Sequence, residues 1–147
     1  MKKAIPLLLL ALTPFAGICA TPAQEKAFVD VYKKAFEAKD EKTLHGLLYT
    51  KGADAQALEF YKMMMTSDMG GKITSIQLAE LDAADKKRAQ GGPGPDGRPM
   101  KFTLAPTKKL VIKSETRSAQ GSSSSSSEVF VAESDGKLVI PTPAPAK

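Results

Sequence analysis

Residues able to do chemistry are few and scattered along this chain. His45 is the one histidine, and histidine is the side chain whose ordinary pKa lets it exchange a proton near neutral pH. Glu41 stands four residues earlier. That spacing puts two side chains on one side of a helix, so the pair reads either as a base with a carboxylate partner or as an ordinary surface pair. Tyr32 and Tyr61 fall among apolar residues at helical spacing, with Phe28, Val31, Ala35 and Phe36 near the first and Ala57, Phe60, Met64 and Met65 near the second. A phenol placed this way either packs with its hydroxyl at a rim or points into a cavity and orients a ligand. Met63, Met64, Met65 and Met69 offer thioether sulfurs, the soft ligands that suit Cu(I). Successive residues of a helix are about 100° apart, so the first three cannot all face one ion. Adaptable packing or a pliable pocket wall is the competing reading.

Other stretches resemble chemical motifs and fail on inspection. Gly91 to Gly97 is glycine-rich but lacks the Lys-Ser/Thr ending of a phosphate-binding loop and does not open a helix. Ser122 to Ser127 contains no Gly-x-Ser-x-Gly elbow to hold a nucleophile. Lys86-Lys87-Arg88 and Lys108-Lys109 are basic patches without interleaved aromatics, which reads as solvated surface, so no nucleic acid is expected as a partner. No catalytic residue, metal ligand set or cofactor is assigned from the sequence.

The elements that would position these residues begin after a leader. Lys2 and Lys3 precede an apolar run, and Ile18-Cys19-Ala20 places an aliphatic and a small residue ahead of a cut after Ala20. Residues 1–20 therefore read as a secretory signal, and the product as periplasmic or secreted. The run is too short and interrupted to span a bilayer. A lipoprotein with Cys19 as the lipidated residue is the alternative, disfavoured by the bulk of Ile18. Cys19 is the sole cysteine, so the remaining chain would have no disulfide and would rely on packing alone. Losing two lysines lowers the net charge from +5 to +3, a solubility statement.

From Thr21 the pattern is helical. Thr21-Pro22-Ala23-Gln24 matches a capping box, followed by the stripe Phe28, Val31, Tyr32, Ala35, Phe36. Asp40 caps a short second helix carrying Leu44, Leu47 and Leu48 and stopping near Gly52. Asp54 caps a third helix to about Ser67, with an apolar surface wide enough to be covered on two sides. After Gly71 the period changes to strands: Lys72 to Leu81 with a bulge or a late start near Ile73, then Phe102 to Leu104, Leu110 to Ile112, and a hairpin of Val129 to Ala132 with Leu138 to Ile140. Asp135-Gly136 suits a type I′ turn and would set Ser134 opposite Lys137, Ala132 opposite Val139 and Val131 opposite Ile140. Residues 89–99 and 118–127 are expected as flexible loops and 142–147 as a Pro/Ala-rich tail, leaving one α+β domain over 21–141. Helices first and strands after give an antiparallel sheet with the helices packed on one face.

The segment Ala35-Phe36-Glu37-Ala38-Lys39-Asp40 through Leu44, and the closing Asp135-Gly136-Lys137-Leu138-Val139-Ile140, resemble the nuclear-transport-factor-2-like (SnoaL-like) superfamily. The resemblance implies a cone: a curved antiparallel sheet wrapped around helices, with an apolar pocket. It implies little about activity, since members include isomerases, dehydratases, cyclases and non-catalytic binders. Leu138 stands where members often have an aromatic, and no catalytic residue is carried over. The leading expectation is an exported, non-catalytic domain binding a small apolar ligand or a protein partner, with Tyr32, His45, Tyr61, Met64 and Met65 as ligand-binding candidates. The alternatives are a small isomerase or dehydratase with Tyr32, His45 and Tyr61 lining one pocket, and Met-based Cu(I) binding. A homodimer is a further open alternative.

Overall fold

Side chains that cap helices do so where the sequence places them. The Thr21 hydroxyl accepts from the Gln24 amide at 3.2 Å while the Gln24 side chain accepts from the Thr21 amide at 2.7 Å. This capping box opens α1 (Pro22–Glu37). Asp40 accepts from the Thr43 amide and opens α2 (Glu41–Gly46), and Asp54 accepts from the Ala57 amide and opens α3 (Ala55–Thr66). A second capping box, Asp82 with Asp85, opens α4 (Ala83–Ala89) in a charged stretch where no element is expected. That helix is too short and polar to show an apolar stripe, and its cap is its only local signal.

The computed structural model describes residues 19–94 and 96–147. The expected leader lies outside them apart from Cys19, which is exposed, and Ala20, whose amide donates to the Glu133 carboxylate at 3.0 Å. Among the described residues, no helix is long and apolar enough to cross a membrane.

Those residues form four helices and eight strands. The strands are β1 (Leu48–Tyr49), β2 (Lys72–Glu80), β3 (Gly92–Pro93), β4 (Pro99–Phe102), β5 (Lys108–Ser118), β6 (Gly121–Ser134), β7 (Lys137–Pro141) and β8 (Pro143–Pro145). One sheet has the order β1-β7-β6-β5-β2 and the other β3-β4-β8. The α+β plan holds. The larger sheet is mixed, not purely antiparallel, because β1 runs parallel to β7. The second helix consequently ends earlier than expected: Leu47 caps it, and Leu48 enters the sheet with its side chain still buried. The Ile140 amide donates to the Leu47 carbonyl at 2.8 Å and fixes that switch.

Of the two readings of the Ile73 offset, the structure has the irregularity, a register shift between Ile73 and Ser75, and not a late start, since β2 begins at Lys72. The closing hairpin also has its expected turn. Asp135 (φ 50°) and Gly136 (φ 73°) both take positive φ, with Ser134 opposite Lys137 and Ala132 opposite Val139. That ladder runs from Ser134 to Ala132; beyond it Val131 pairs with Lys108 of β5 and Ile140 with Leu48 of β1.

Three segments depart from expectation. Ser122–Ser127 is not a loop but part of β6, in register with β5 from Ile112↔Ser127 to Arg117↔Ser122. Serines have no apolar drive to form a strand; a tight connection, with Ser118 paired to Gly121, holds them in the ladder. Residues 89–99 do turn, but Gly92–Pro93 pairs with β4. The tail is also structured: Pro143–Pro145 pairs with β4, and Thr142 is 0 % exposed. The domain therefore extends past residue 141.

The core lies between α1 and the larger sheet. Phe28, Tyr32, Ala35 and Phe36 pack with Leu110, Ile112, Val129, Val131, Leu138 and Ile140. Such continuous apolar burial is the main stabilising contribution, about 25 cal/mol per Å² removed from water. α3 contributes less than its composition suggests. Ala57 and Met65 are buried, while Phe60 is 44 %, Met63 62 % and Met64 44 % exposed. The expected cover on two sides is absent among the described residues.

Candidate functional site

A groove runs between α3 and the three-stranded sheet. Asp54 starts α3 so that Ala57, Phe60 and Tyr61, at i, i+3 and i+4, share one side. That side forms one wall. The other consists of Arg88 at the end of α4, Gly91–Gly94, and Met100 to Phe102 on β4, with Pro143 of β8 completing the lining. The cavity volume is about 710 Å³, within the range of small-molecule sites.

Local geometry explains why the second wall holds its place. Gly91 has φ 105°, and a Cβ there would collide with the Met100 carbonyl oxygen. The Gly94 amide donates to the Arg98 carbonyl at 2.7 Å and the Gly97 amide to the Gly94 carbonyl at 2.9 Å. Arg98 lies 3.7 Å from the Asp54 carboxylate, tying this turn to the start of α3. Phe102 meets Phe130 edge-to-face, centroids 5.4 Å apart, and the Arg88 guanidinium sits 5.5 Å from the Phe130 ring centre.

Arg88 is itself anchored. Asp85, 1 % exposed, pairs with Arg88 and with Lys109, whose ammonium lies at 2.8 Å. Glu128 closes the cluster, 3.1 Å from Lys109 and 3.2 Å from Arg88. Hydrogen bonds from Lys109, then Arg88, hold the Asp85 carboxyl well below the usual carboxylate range. Their Asp85 and Glu128 partners raise both cations in turn. Lys86, Lys87 and Arg88 are exposed, as the solvated reading expects, but Arg88 is also held in ion pairs, and Lys108 and Lys109 are half-buried and paired, Lys108 with Glu25.

A smaller cleft of about 120 Å³ lies on the helix side of β6, lined among others by Tyr32, Met64, Met65, Asp68, Ser125 and Ser127. Burial, reinforced by the Asp68 charge, pushes the Tyr32 phenol up to about 12.

The structure therefore divides the expected site residues. Tyr61 lines the groove, where burial raises its phenol pKa. Tyr32, Met64 and Met65 line the cleft, and His45 lines neither. The His45 Nε2 atom is buried without a hydrogen-bond partner among the described residues, beside the fully buried Leu44. Tyr32, His45 and Tyr61 are not brought to one cavity, as the isomerase or dehydratase alternative requires. Met63 and Met65 point apart, one to solvent and one to the core. Among the described residues no group of three or more His, Cys, Asp or Glu side chains converges as a metal site.

Sequence reasoning missed the groove's second wall. Phe102 reads as a strand residue, but the partner that fixes its strand, Pro143–Pro145, reads as a tail. Comparison with protein-family models, with curated proteins and with solved structures gives no match for this chain.

Proposed function

We propose that this is an exported, non-catalytic binding domain that takes a small apolar ligand in the groove between α3 and the three-stranded sheet. The observation that carries this reading is the groove's lining: a cavity of about 710 Å³ walled by Phe60, Tyr61, Met100, Phe102 and Pro143. Phe60 is 44 % exposed, an aromatic that gains by being covered. Export rests on the leader pattern of residues 1–20. The kinship to the nuclear-transport-factor-2-like superfamily belongs to the same reading, supported by the α+β plan, with all four helices ahead of β5, β6 and β7.

Titration with an apolar fluorescent probe tests the site. One saturable event is expected, weakened about ten-fold or more by Phe60→Ala, since each buried aromatic contributes roughly 1.5–3 kcal/mol. Equal affinity in Phe60→Ala and Phe102→Ala, both folded by circular dichroism, would refute the groove as the binding site.

A further inference from the structure

A second feature lies away from the groove. β6 is fourteen residues long, but β7 pairs with it only at Ala132, Glu133 and Ser134. Among the described residues no strand lies beyond Gly121–Val131 on that side. Gly121 to Glu128 are all exposed. Half of the backbone amides and carbonyls of this stretch point along the open edge, as in any strand with one neighbour.

Natural edges are blunted by lysine, proline or a bulge. The opposite edge of the same sheet, β2, follows that rule, with Lys72 at one end, Glu80 at the other, and a register shift between Ile73 and Ser75. The β6 edge has none of these. Ser122–Ser127 carries no charge, no bulk and no proline, and its register against β5 is unbroken.

We propose that this edge pairs with the same edge of a second copy of the chain, antiparallel about a two-fold axis through Ser124 or Ser125. Such pairing is closed and self-complementary. Either register sets Ser122–Ser126 or Ser123–Ser127 against itself, so no like charges meet. A run of six residues spans about 20 Å. Serine already bonds to serine across this strand, with Ser114 Oγ and Ser125 Oγ 2.9 Å apart. The edge alone is a small interface, and α3 supplies the apolar complement. Met63 and Met64 are exposed on α3, and Met64 lines the cleft together with Ser125 and Ser127. A strand added at this edge lies beside Met64 and takes part of its exposed surface out of water.

Charge exchange tests the pairing. Ser125 and Ser127 face the helices, so Ser124 and Ser126 face the other side, across from Glu115 and Lys113 of β5. Ser124→Lys/Ser126→Lys and Ser124→Glu/Ser126→Glu each meet one like and one opposite charge within the monomer, which leaves its fold near balance. Light scattering during gel filtration should show a wild-type dimer, each double variant shifted at least ten-fold toward monomer, and a dimer recovered on mixing the two. A wild type that stays monomeric, a dimer indifferent to both charge patterns, or two variants that fail to recombine would overturn the proposal. Apolar-probe binding reads the groove separately, so the two proposals fail independently.

Discussion

Asp85 shows how far a single side chain is set by partners distant in sequence. Its spacing from Asp82 marks a helix cap that is readable locally. Its burial is not readable, because Lys109 comes from β5 and Glu128 from β6. The folded carboxyl lies below its ordinary value of 3.8. Its contribution to stability is therefore complete above that value and drains away as pH falls through and beneath it. Asp85→Asn should lower stability at neutral pH and flatten the acid limb of the stability profile, measured by urea unfolding at pH 7 and at pH 3. A parallel offset between wild type and variant at both pH values would show that the charge is not what matters. The candidate site was partly legible at this scale. Tyr61 sits on the groove as its helical spacing allowed. His45 does not, because one residue's turn along α2 decides whether a side chain meets the core or a cavity.

At the scale of elements, what the sequence makes legible is what local spacing determines. Thr21, Asp40 and Asp54 each act on an amide three residues ahead, and all three caps occur where expected. The Asp135-Gly136 turn is equally local. Strands held by distant partners are not legible. Pro143–Pro145 reads as a tail until β4 is beside it, and Ser122–Ser127 reads as a loop until β5 is. The turn between α4 and β4 shows the same dependence in its backbone, since the left-handed φ of Gly91 exists to admit the Met100 carbonyl. Gly91→Ala should destabilise the fold by roughly 1–3 kcal/mol and weaken probe binding in the groove. Thermal unfolding and the probe titration would read the two effects, while Gly46→Ala, away from the groove lining and with open space around its Cβ position, serves as control.

For the molecule as a whole, the two sheets are joined at Thr142. Its hydroxyl donates to the Tyr49 carbonyl at 2.6 Å, and its carbonyl accepts from the Thr103 amide at 2.9 Å and from the Thr103 hydroxyl at 2.9 Å. Truncation after Pro141 removes these bonds and β8 together. At about 1 kcal/mol for each buried hydrogen bond, the melting temperature should fall by roughly 5 °C or more, and the groove should lose Pro143 and its affinity for apolar probes. A truncated chain that melts like the full one would show that the last six residues are only an appendage.

Thr142 meets Tyr49 across 93 positions of sequence, and β1 likewise waits for β7. The edge strand β1 thus has its ladder partner far along the chain, at Ile140 and Pro141. Assembly of that edge is a long-range closure, the kind of contact whose loop cost slows folding.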